Sequence, residues 1–406
     1  MKGYVSALDF ISDCLTVGNA PHERLPLRSV VTSAHLDWTD ILTTANEQLV
    51  SPTLWAALRG RSLTSDLPAD VGDYLREINR LNRVRNERLR VQTLDAANAL
   101  NAIGVVPILL KGTASLFLDT YEDPGSRIMV DLDILVPRKD AEDCWNQLCK
   151  QGYSPIGCGR DFSRHHHLEP LQRPGDYGTI EIHHDALEEN ADDGSLTRRI
   201  RTHCRPVKNA GVAMCVPDRT SQVLHNILHA AVAHGGYERG VGSLRSLHEL
   251  ALTASQNREP IDWKEIRSWF ERSGKTRVLD SWLYVAHRLF GCQLPTNTRP
   301  TPSAIGYYAR YRMQARWPWI DAVARRTLLF SARNIQERYG CDNSFTSLSN
   351  GRLRLFLDVS GYYGKRLARW CKQYVSPEAS LDSSHKLPDQ HKPSTYRAPV
   401  FPDTEN

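Results

Sequence analysis

The sequence predicts an α+β fold in which a small mixed sheet forms a core between two helical regions. Apolar residues recur at helical spacing before residue 103, short strand and helix patterns alternate up to residue 216, and helical patterns return after it. We therefore divide the chain into four parts. They are a helical N-terminal region (1–103), a core (104–216), a helical C-terminal region (217–375) and a disordered tail (376–406).

The helical regions have recognisable starts and stops. Ser51-Pro52 places a cap and a first-turn proline before a short helix. A long helix is predicted over residues 70–100, where five apolar residues have near-helical spacing: Leu75, Ile78, Leu81, Leu89 and Ala96. Further helices are predicted to start at Asp218 and Asp262, and one to stop near residues 291–295. The tail has five prolines and little apolar periodicity, which predicts disorder.

The core reads as alternating elements. Its predicted strands are residues 105–110, 128–136, 179–184 and 212–216, and its predicted helices are residues 114–118 and 140–151.

Composition indicates a globular protein. The 406 residues are 41% hydrophobic, enough for two or three domains. No run reaches the roughly 18 apolar residues of a membrane span, and acidic residues interrupt the N-terminal apolar segment, so we expect neither a membrane anchor nor a secretory signal. Nine cysteines without a repeating spacing favour a reducing compartment, and we expect a cytoplasmic protein.

Two carboxylates interrupt the apolar strand at residues 128–136. Asp131 and Asp133 are two residues apart and so project from one face, roughly 6 to 7 Å apart along the backbone. One hard cation such as Mg²⁺ can bridge such a pair and take its other ligands from water and substrate phosphates. The alternative is an edge strand with an acidic solvent face, but unpaired carboxylates within an apolar strand are costly.

A glycine turn follows the first strand of the core. Gly112 would let the backbone approach a phosphate, and the helix after it would offer free N–H groups to an anion. Lys111 could add a positive charge, and Thr113 and Ser115 could add hydroxyl donors. Taken alone, a Lys-Gly turn is more often an ordinary loop.

Together these motifs resemble the family of uncharacterised bacterial nucleotidyltransferases, within the superfamily that has a polymerase β-like fold. The resemblance covers roughly residues 40–295 and rests on the LLKG turn, Arg127, the DLDILV strand, Gly152-Tyr153 and the EIHH strand. It implies transfer of a nucleoside monophosphate from an NTP to an acceptor hydroxyl, with Mg²⁺ or Mn²⁺ as cofactor. The chain has Lys111-Gly112-Thr113 where the superfamily more often has Gly-Gly or Gly-Ser.

The resemblance also implies roles for two further residues. Glu181, which shares a strand face with His183, would be the third carboxylate, completing the metal site or acting as general base with a raised pKa. Arg127 would neutralise phosphate charge through its bidentate fork, delivered by the turn-rich segment 119–126. Alternatively, Glu181 and Arg127 are ordinary surface residues, and His183 has a structural role.

Histidine-rich segments invite a zinc hypothesis, which we do not favour. The consecutive residues His165, His166 and His167 cannot all face one ion easily, and no cysteine pair accompanies them. His225 and His229 have i, i+4 spacing within the helical stretch 221–234, where packed or solvated histidines are more common than ligands.

Basic and aromatic residues alternate in the C-terminal third, from Arg310 to Lys372. They include Arg312, Arg316, Arg325, Arg326, Arg333, Arg352, Arg354, Lys365, Arg366, Arg369, Trp317, Trp319, Tyr362, Tyr363 and Trp370. This pattern would suit RNA, but solvated faces of amphipathic helices give the same composition, and we favour the latter.

The partners expected are an NTP and an unidentified acceptor: a small molecule, a protein hydroxyl or an RNA 3′ end. Two other functions remain open. A glycosyltransferase also uses an Asp-x-Asp pair to hold the metal of a nucleotide-sugar, but it usually begins with a nucleotide-binding βαβ unit. A non-catalytic nucleotide- or RNA-binding scaffold would be favoured if a carboxylate were missing.

Overall fold

Seven short strands form a mixed sheet in the part of the chain that the computed structural model describes. That part comprises residues 7–17, 26–33, 36–156, 162, 165–189, 191–209, 211–256, 259–295 and 299–317, and a few residues between 319 and 352. The strands are β1 Ile108–Leu109, β2 Asp131–Leu135, β3 Ser154–Pro155, β4 Leu171–Gln172, β5 Thr179–His183, β6 Cys204–Asn209 and β7 Val212–Pro217. Their order is β3-β4-β5-β2-β1-β7-β6.

The two central pairings position the residues of interest. β2 runs parallel to β5 and antiparallel to β1. β1 also pairs with β7 in parallel, while the outer pairs β3–β4, β4–β5 and β6–β7 are antiparallel. The two acidic strands predicted from the sequence are therefore neighbours at the centre of the sheet.

Helices surround this sheet. They are α1 Ala7–Cys14, α2 Leu27–Val31, α3 Trp38–Glu47, α4 Ser51–Gly60, α5 Ala69–Asn101, α6 Lys111–Ser115, α7 Ala141–Lys150, α8 Ser195–Thr202, α9 Arg219–Ile227, α10 Gly236–Arg239, α11 Leu244–Ser255, α12 Trp263–Arg272, α13 Thr276–Phe290 and α14 Pro302–Arg316. Short 3₁₀ turns lie at Thr64–Asp66 and Arg138–Asp140, and a π-helical segment at Leu228–Ala233 follows α9. Among the described helices, none is long and apolar enough to cross a membrane.

The predicted α+β class is confirmed, and several element ends lie where the sequence placed them. Asp218 and Asp262 cap α9 and α12, each accepting a hydrogen bond of 2.9 Å from a backbone N–H three residues on. Gly291 ends α13 with a left-handed φ of +70°.

Strand β6 was not predicted. It contains Arg205 and Pro206 and shows no apolar alternation. β6 lies at the end of the sheet order, where a proline is tolerated because its missing N–H faces away from the ladder. Its pairing with β7 is a tertiary contact that the local pattern does not indicate.

Two hydrophobic clusters support the fold. One lies between the sheet, α7 and the C-terminal half of α5, and includes Leu89, Leu132 and Ile180. The other joins the N-terminal helices to the C-terminal ones, with Phe10 and Phe290 both almost fully buried in it. The helices before and after the sheet therefore share a core, although they are far apart in sequence.

The buried face of α5 differs from the prediction. Leu81 is 49% exposed, whereas Asn79, Asn82 and Asn86 are buried on the helix instead. Asn82 and Asn86 each donate a 2.9 Å hydrogen bond to the backbone carbonyl of Arg127. This face of α5 is polar because its asparagine side chains donate hydrogen bonds to backbone carbonyls of residues 124–127.

The chain divides into two units, Met1–Pro318 and Trp319–Asn406. The predicted boundaries at residues 103, 216 and 375 stay predictions. The predicted tail, residues 376–406, lies outside the described residues, as does most of the basic segment between Arg325 and Lys372. Arg310 and Arg312, at the start of the basic region, are among the described residues. Arg310 donates to the Glu238 carbonyl and Arg312 pairs with Asp9, so both contribute to helix packing.

Candidate active site

The central strand pair places two carboxylates side by side. In the parallel pairing of β2 with β5, Asp133 lies opposite Glu181, and Leu135 lies opposite His183. Asp131 stands two residues before Asp133 and therefore on the same face. Leu132 and Ile134 of β2, which alternate with these aspartates, point to the other face of the sheet, where they are buried in the core. The predicted arrangement of acidic residues on one face is thus present.

Three donor groups converge on this face. One oxygen of Asp133, one oxygen of Glu181 and one ring nitrogen of His183 lie within 4.8 Å of one another. His183 Nε2 is 2.9 Å from Asp133 Oδ1 and 3.4 Å from Glu181 Oε2. Asp131 is not part of this group of donor atoms. The structure therefore brings His183, which the sequence left between a structural and a functional role, into contact with both central carboxylates.

Lys111 reaches the same carboxylate from β1. The chain leaves β1 beside β2, because Leu110 N donates to the Asp133 carbonyl at 3.0 Å. Lys111 Nζ lies 2.7 Å from Asp133 Oδ1. Its φ of +45° is a left-handed conformation that costs a side-chain-bearing residue about 1–2 kcal/mol. This left-handed turn places the positively charged side chain of Lys111 beside Asp133.

Burial and charge set the pKa values of the carboxylates differently. Burial, together with the negative charges of Asp133 and Glu181, raises the pKa of Asp131 to about 6. Burial also acts to raise the pKa of Asp133, but the charge of Lys111 and the contact with His183 outweigh it, so that pKa lies well below its ordinary value.

The predicted rise in the pKa of Glu181 is wrong. Burial acts to raise that pKa, but the contact with His183 and the charge on His167 lower it by more. Asp131 is instead the carboxyl group whose pKa is raised. The imidazoles of His183 and His167 are the physical reason.

The predicted phosphate-binding residues lie at the turn, although some are already engaged. Thr113 Oγ1 accepts a 2.8 Å hydrogen bond from Asp133 N, and Ser115 Oγ donates to the Gly112 carbonyl at 2.7 Å. A Cβ at Gly112 would lie 2.9 Å from Arg127 Cζ, so glycine is required for the guanidinium to approach. The helix predicted at residues 114–118 begins earlier, at Lys111, and ends at Ser115.

Arg127 belongs to a charged cluster that the sequence analysis missed. Its Nε lies 3.1 Å from Glu249 Oε2 on α11, and both side chains are largely buried. Arg245, one helical turn before Glu249, donates to the Ile128 carbonyl at 2.9 Å. Arg85 of α5 donates to the Met129 carbonyl. The i, i+4 spacing of Arg245 and Glu249 was the available signal, but nothing local connects it to Arg127.

The consecutive histidines adjoin β5. His167 forms an antiparallel bridge with His183, and the rings of His166 and His167 lie 5.0 and 5.2 Å from the ring of His183. Burial and the charges of His183 and its neighbours lower the pKa of His166 to about 2. The His166 ring is therefore uncharged at neutral pH and lies beside the ring of His183.

A second histidine group follows α9. The helix predicted over residues 221–234 changes to π-helical geometry at Leu228–Ala233. His229 Nε2 lies 3.0 Å from His234 Nε2, whereas the ring of His225 lies 5.9 Å from that of His229. Burial and the charge of Lys111 lower the pKa of His225 to about 3. The pair formed in space is thus His229 with His234, because the wider π-turn displaces the i, i+4 register.

A mixed sheet with acidic residues on two adjacent strands, next to a Lys-Gly turn, is the arrangement expected of a nucleotidyltransferase-like protein. The chain belongs to the family of uncharacterised nucleotidyltransferases, whose model matches residues 34–291. The predicted membership is thereby confirmed. A crystal structure of an antigenic nucleotidyltransferase-like protein from Paracoccidioides brasiliensis is similar over 50% of this chain and 94% of that one, with 14% sequence identity and a TM-score of 0.33. No curated protein matches the chain.

Proposed function

We propose that the protein is a metal-dependent nucleotidyltransferase that transfers a nucleoside monophosphate from an NTP to an acceptor hydroxyl and releases pyrophosphate. The observation that carries the proposal is the placement of Asp133 opposite Glu181 on adjacent parallel strands, with Asp131 on the same face. Membership of a nucleotidyltransferase family supports it. The six cysteines that the structure describes are free thiols, which supports a location in the cytoplasm.

The carboxylate set fits a divalent cation. Burial and two neighbouring negative charges raise the pKa of Asp131 to about 6, so the ionised form is costly without a compensating charge. Asp131, Asp133 and Glu181 would hold Mg²⁺ or Mn²⁺. When bound, the ion supplies positive charge to the phosphates and lowers the pKa of the acceptor hydroxyl.

Cationic side chains on three elements would bind the triphosphate. Lys111 precedes Gly112 at the turn after β1, and the guanidinium of Arg127, four residues before β2, adjoins the same glycine. Arg245 uses one nitrogen for a backbone carbonyl, and its guanidinium has further donors for phosphate oxygens. Thr113 and Ser115 would support this turn through the hydrogen bonds that they already make.

The carboxylates would also receive the proton of the reaction. The acceptor oxygen attacks the α-phosphorus, the new P–O bond forms, and the bond from that phosphorus to the departing pyrophosphate breaks. The hydroxyl proton passes to a carboxylate on the open side of the cluster. Asp131 and Glu181 are the candidate acceptors, because Asp133 already contacts both Lys111 and His183.

Label transfer tests the proposal directly. The purified protein is incubated with each α-³²P-labelled NTP, with Mg²⁺ or Mn²⁺ and with a cell extract, in parallel with the Asp131→Ala/Asp133→Ala double variant. We expect label to move to an extract component with the wild type alone, and the labelled species identifies the acceptor class. No labelling by the wild type with any NTP would refute nucleotidyl transfer. Turnover of a nucleotide-sugar instead would indicate a glycosyltransferase.

Gly112→Ala provides a test of the phosphate-binding turn. The added Cβ displaces the Arg127 guanidinium, which cannot then keep both its place at the turn and its pair with Glu249. We expect NTP binding to weaken by roughly tenfold, corresponding to about 1.4 kcal/mol, as measured by titration with a fluorescent NTP analogue. Gly60→Ala is the control, because its Cβ would meet no atom within 4 Å. Equal NTP affinities for both variants would argue against a role for Arg127.

A further inference from the structure

The geometry points to a mixed nitrogen and oxygen metal site, in which His183 Nε2 binds the ion together with Asp133 and Glu181, and which takes Mn²⁺ in preference to Mg²⁺. This inference rests on the proposed function in that it concerns the metal of the same site. It goes beyond that function because it adds a histidine ligand and selects the ion.

The distances match a coordination sphere. Metal–ligand bonds of about 2.0–2.2 Å at angles between about 90° and 109° place neighbouring donor atoms roughly 2.8–3.6 Å apart. His183 Nε2 lies 2.9 Å from Asp133 Oδ1 and 3.4 Å from Glu181 Oε2. All three donors lie within 4.8 Å of one another. A single ion in contact with all three therefore requires little movement of the strands, which hold these residues in register.

The hydrogen bonding of His183 indicates a ligand more than a structural histidine. The side chain is fully buried. Despite the short distances, neither ring nitrogen makes an aligned hydrogen bond with any residue that the structure describes. Leaving a buried polar atom unsatisfied costs about 1–3 kcal/mol, so buried imidazoles are normally hydrogen-bonded. A neutral imidazole nitrogen that faces two carboxylate oxygens, at 2.9 and 3.4 Å, is satisfied by a cation placed among the three atoms.

The nitrogen ligand decides which ion is preferred. Mg²⁺ takes oxygen ligands in near-ideal octahedral geometry and keeps several of its waters. Mn²⁺ also takes oxygen ligands, but as a first-row transition ion it accepts a nitrogen ligand among them more readily than Mg²⁺ does. Lys111 Nζ, 2.7 Å from Asp133 Oδ1, repels every divalent ion to the same extent. Within the donor group of Asp133, Glu181 and His183, His183 supplies the nitrogen, which binds Mn²⁺ more favourably than Mg²⁺.

Pulsed electron paramagnetic resonance of Mn²⁺ bound to the full-length protein, without NTP or acceptor, tests the ligand. We expect modulation from a directly bound ¹⁴N nucleus in the wild type. His183→Gln should abolish it, and His184→Gln should retain it. His184 is the matched control because it is the next residue along the chain and its ring contacts Asp185 at 3.1 Å, outside the donor group.

Affinities test the selectivity. We expect the wild type to bind Mn²⁺ at least tenfold more tightly than Mg²⁺, as measured by competition against the signal of free Mn²⁺. His183→Gln should weaken Mn²⁺ binding by roughly 10- to 100-fold and leave Mg²⁺ binding within about twofold of the wild type. His184→Gln should change neither affinity.

Several results would overturn the inference. They are absence of Mn²⁺ binding, bound Mn²⁺ without nitrogen modulation in the wild type, modulation that persists in His183→Gln, and equal affinities for the two ions. The wild-type spectrum decides the presence of a nitrogen ligand even if a variant fails to fold. Nitrogen coordination without label transfer would refute the proposed function alone. Label transfer with an all-oxygen Mn²⁺ site would refute this inference alone.

Discussion

Replacing Asp133 by asparagine is expected to lower nucleotidyl transfer by roughly 10³-fold or more. Asp133 is buried at the centre of the cluster, where it contacts both Lys111 and His183 and faces Glu181 across the strand pair. Asparagine keeps the shape but removes the charge that the cation and the cluster require. The initial rate of label transfer, measured at saturating metal, gives the loss.

Asp185→Asn is the matched control for this prediction. Asp185 follows β5 closely and pairs with Arg138 and His184 at the surface, outside the donor group. We expect its transfer rate to stay within about twofold of the wild type, since Asp185 contacts none of the three donor groups and its partner Arg138 is 67% exposed. Circular dichroism at the assay temperature verifies that both variants are folded. A folded Asp133→Asn protein with near wild-type rates would contradict the assigned role.

Arg199→Met is expected to cause the largest loss of stability, about 3 kcal/mol in the free energy of unfolding. The side chain of Arg199 is buried, and it donates to both oxygens of Asp218 and to both oxygens of Glu265, at distances between 2.7 and 3.2 Å. Asp218 also caps α9, and Glu265 lies in the first turn of α12. Removing the guanidinium leaves two partly buried carboxylates without their common partner.

The adjacent arginine is the control for that substitution. Arg198 is 69% exposed and lies 3.9 Å from Asp193, so Arg198→Met should cost less than about 0.5 kcal/mol. Urea denaturation of the wild type and the two variants, followed by circular dichroism, measures the difference. Equal midpoints for Arg199→Met and Arg198→Met would show that the Arg199 network contributes little to stability.

Local sequence patterns were sufficient to predict the main strands and the face on which their acidic residues lie. The alternation in residues 179–184 and the paired aspartates two residues apart assigned strand faces correctly, because side chains alternate along any strand. The caps Asp218 and Asp262 were also predictable, since a cap depends on residues within one turn.

Contacts between distant segments were not predictable in this way. Arg127 pairs with Glu249, 122 residues away in sequence. The buried row Asn79, Asn82 and Asn86 takes the place of apolar residues on α5, because backbone carbonyls of a distant loop need donors. Neither a hydrophobic pattern nor a spacing rule indicates such a partner.

The sequence by itself determined the class of fold, the acidic strand face and the Lys-Gly turn, because these depend on short-range periodicity and on the chemistry of each residue. Only the tertiary structure decided that Asp133, Glu181 and His183 meet, that Lys111 pairs with Asp133, and that His166 and His167 adjoin them. The reason is that burial of the opposite, apolar face of β2 and β5 sets their parallel register. That register, set by a core made of distant segments, fixes which side chains share the site.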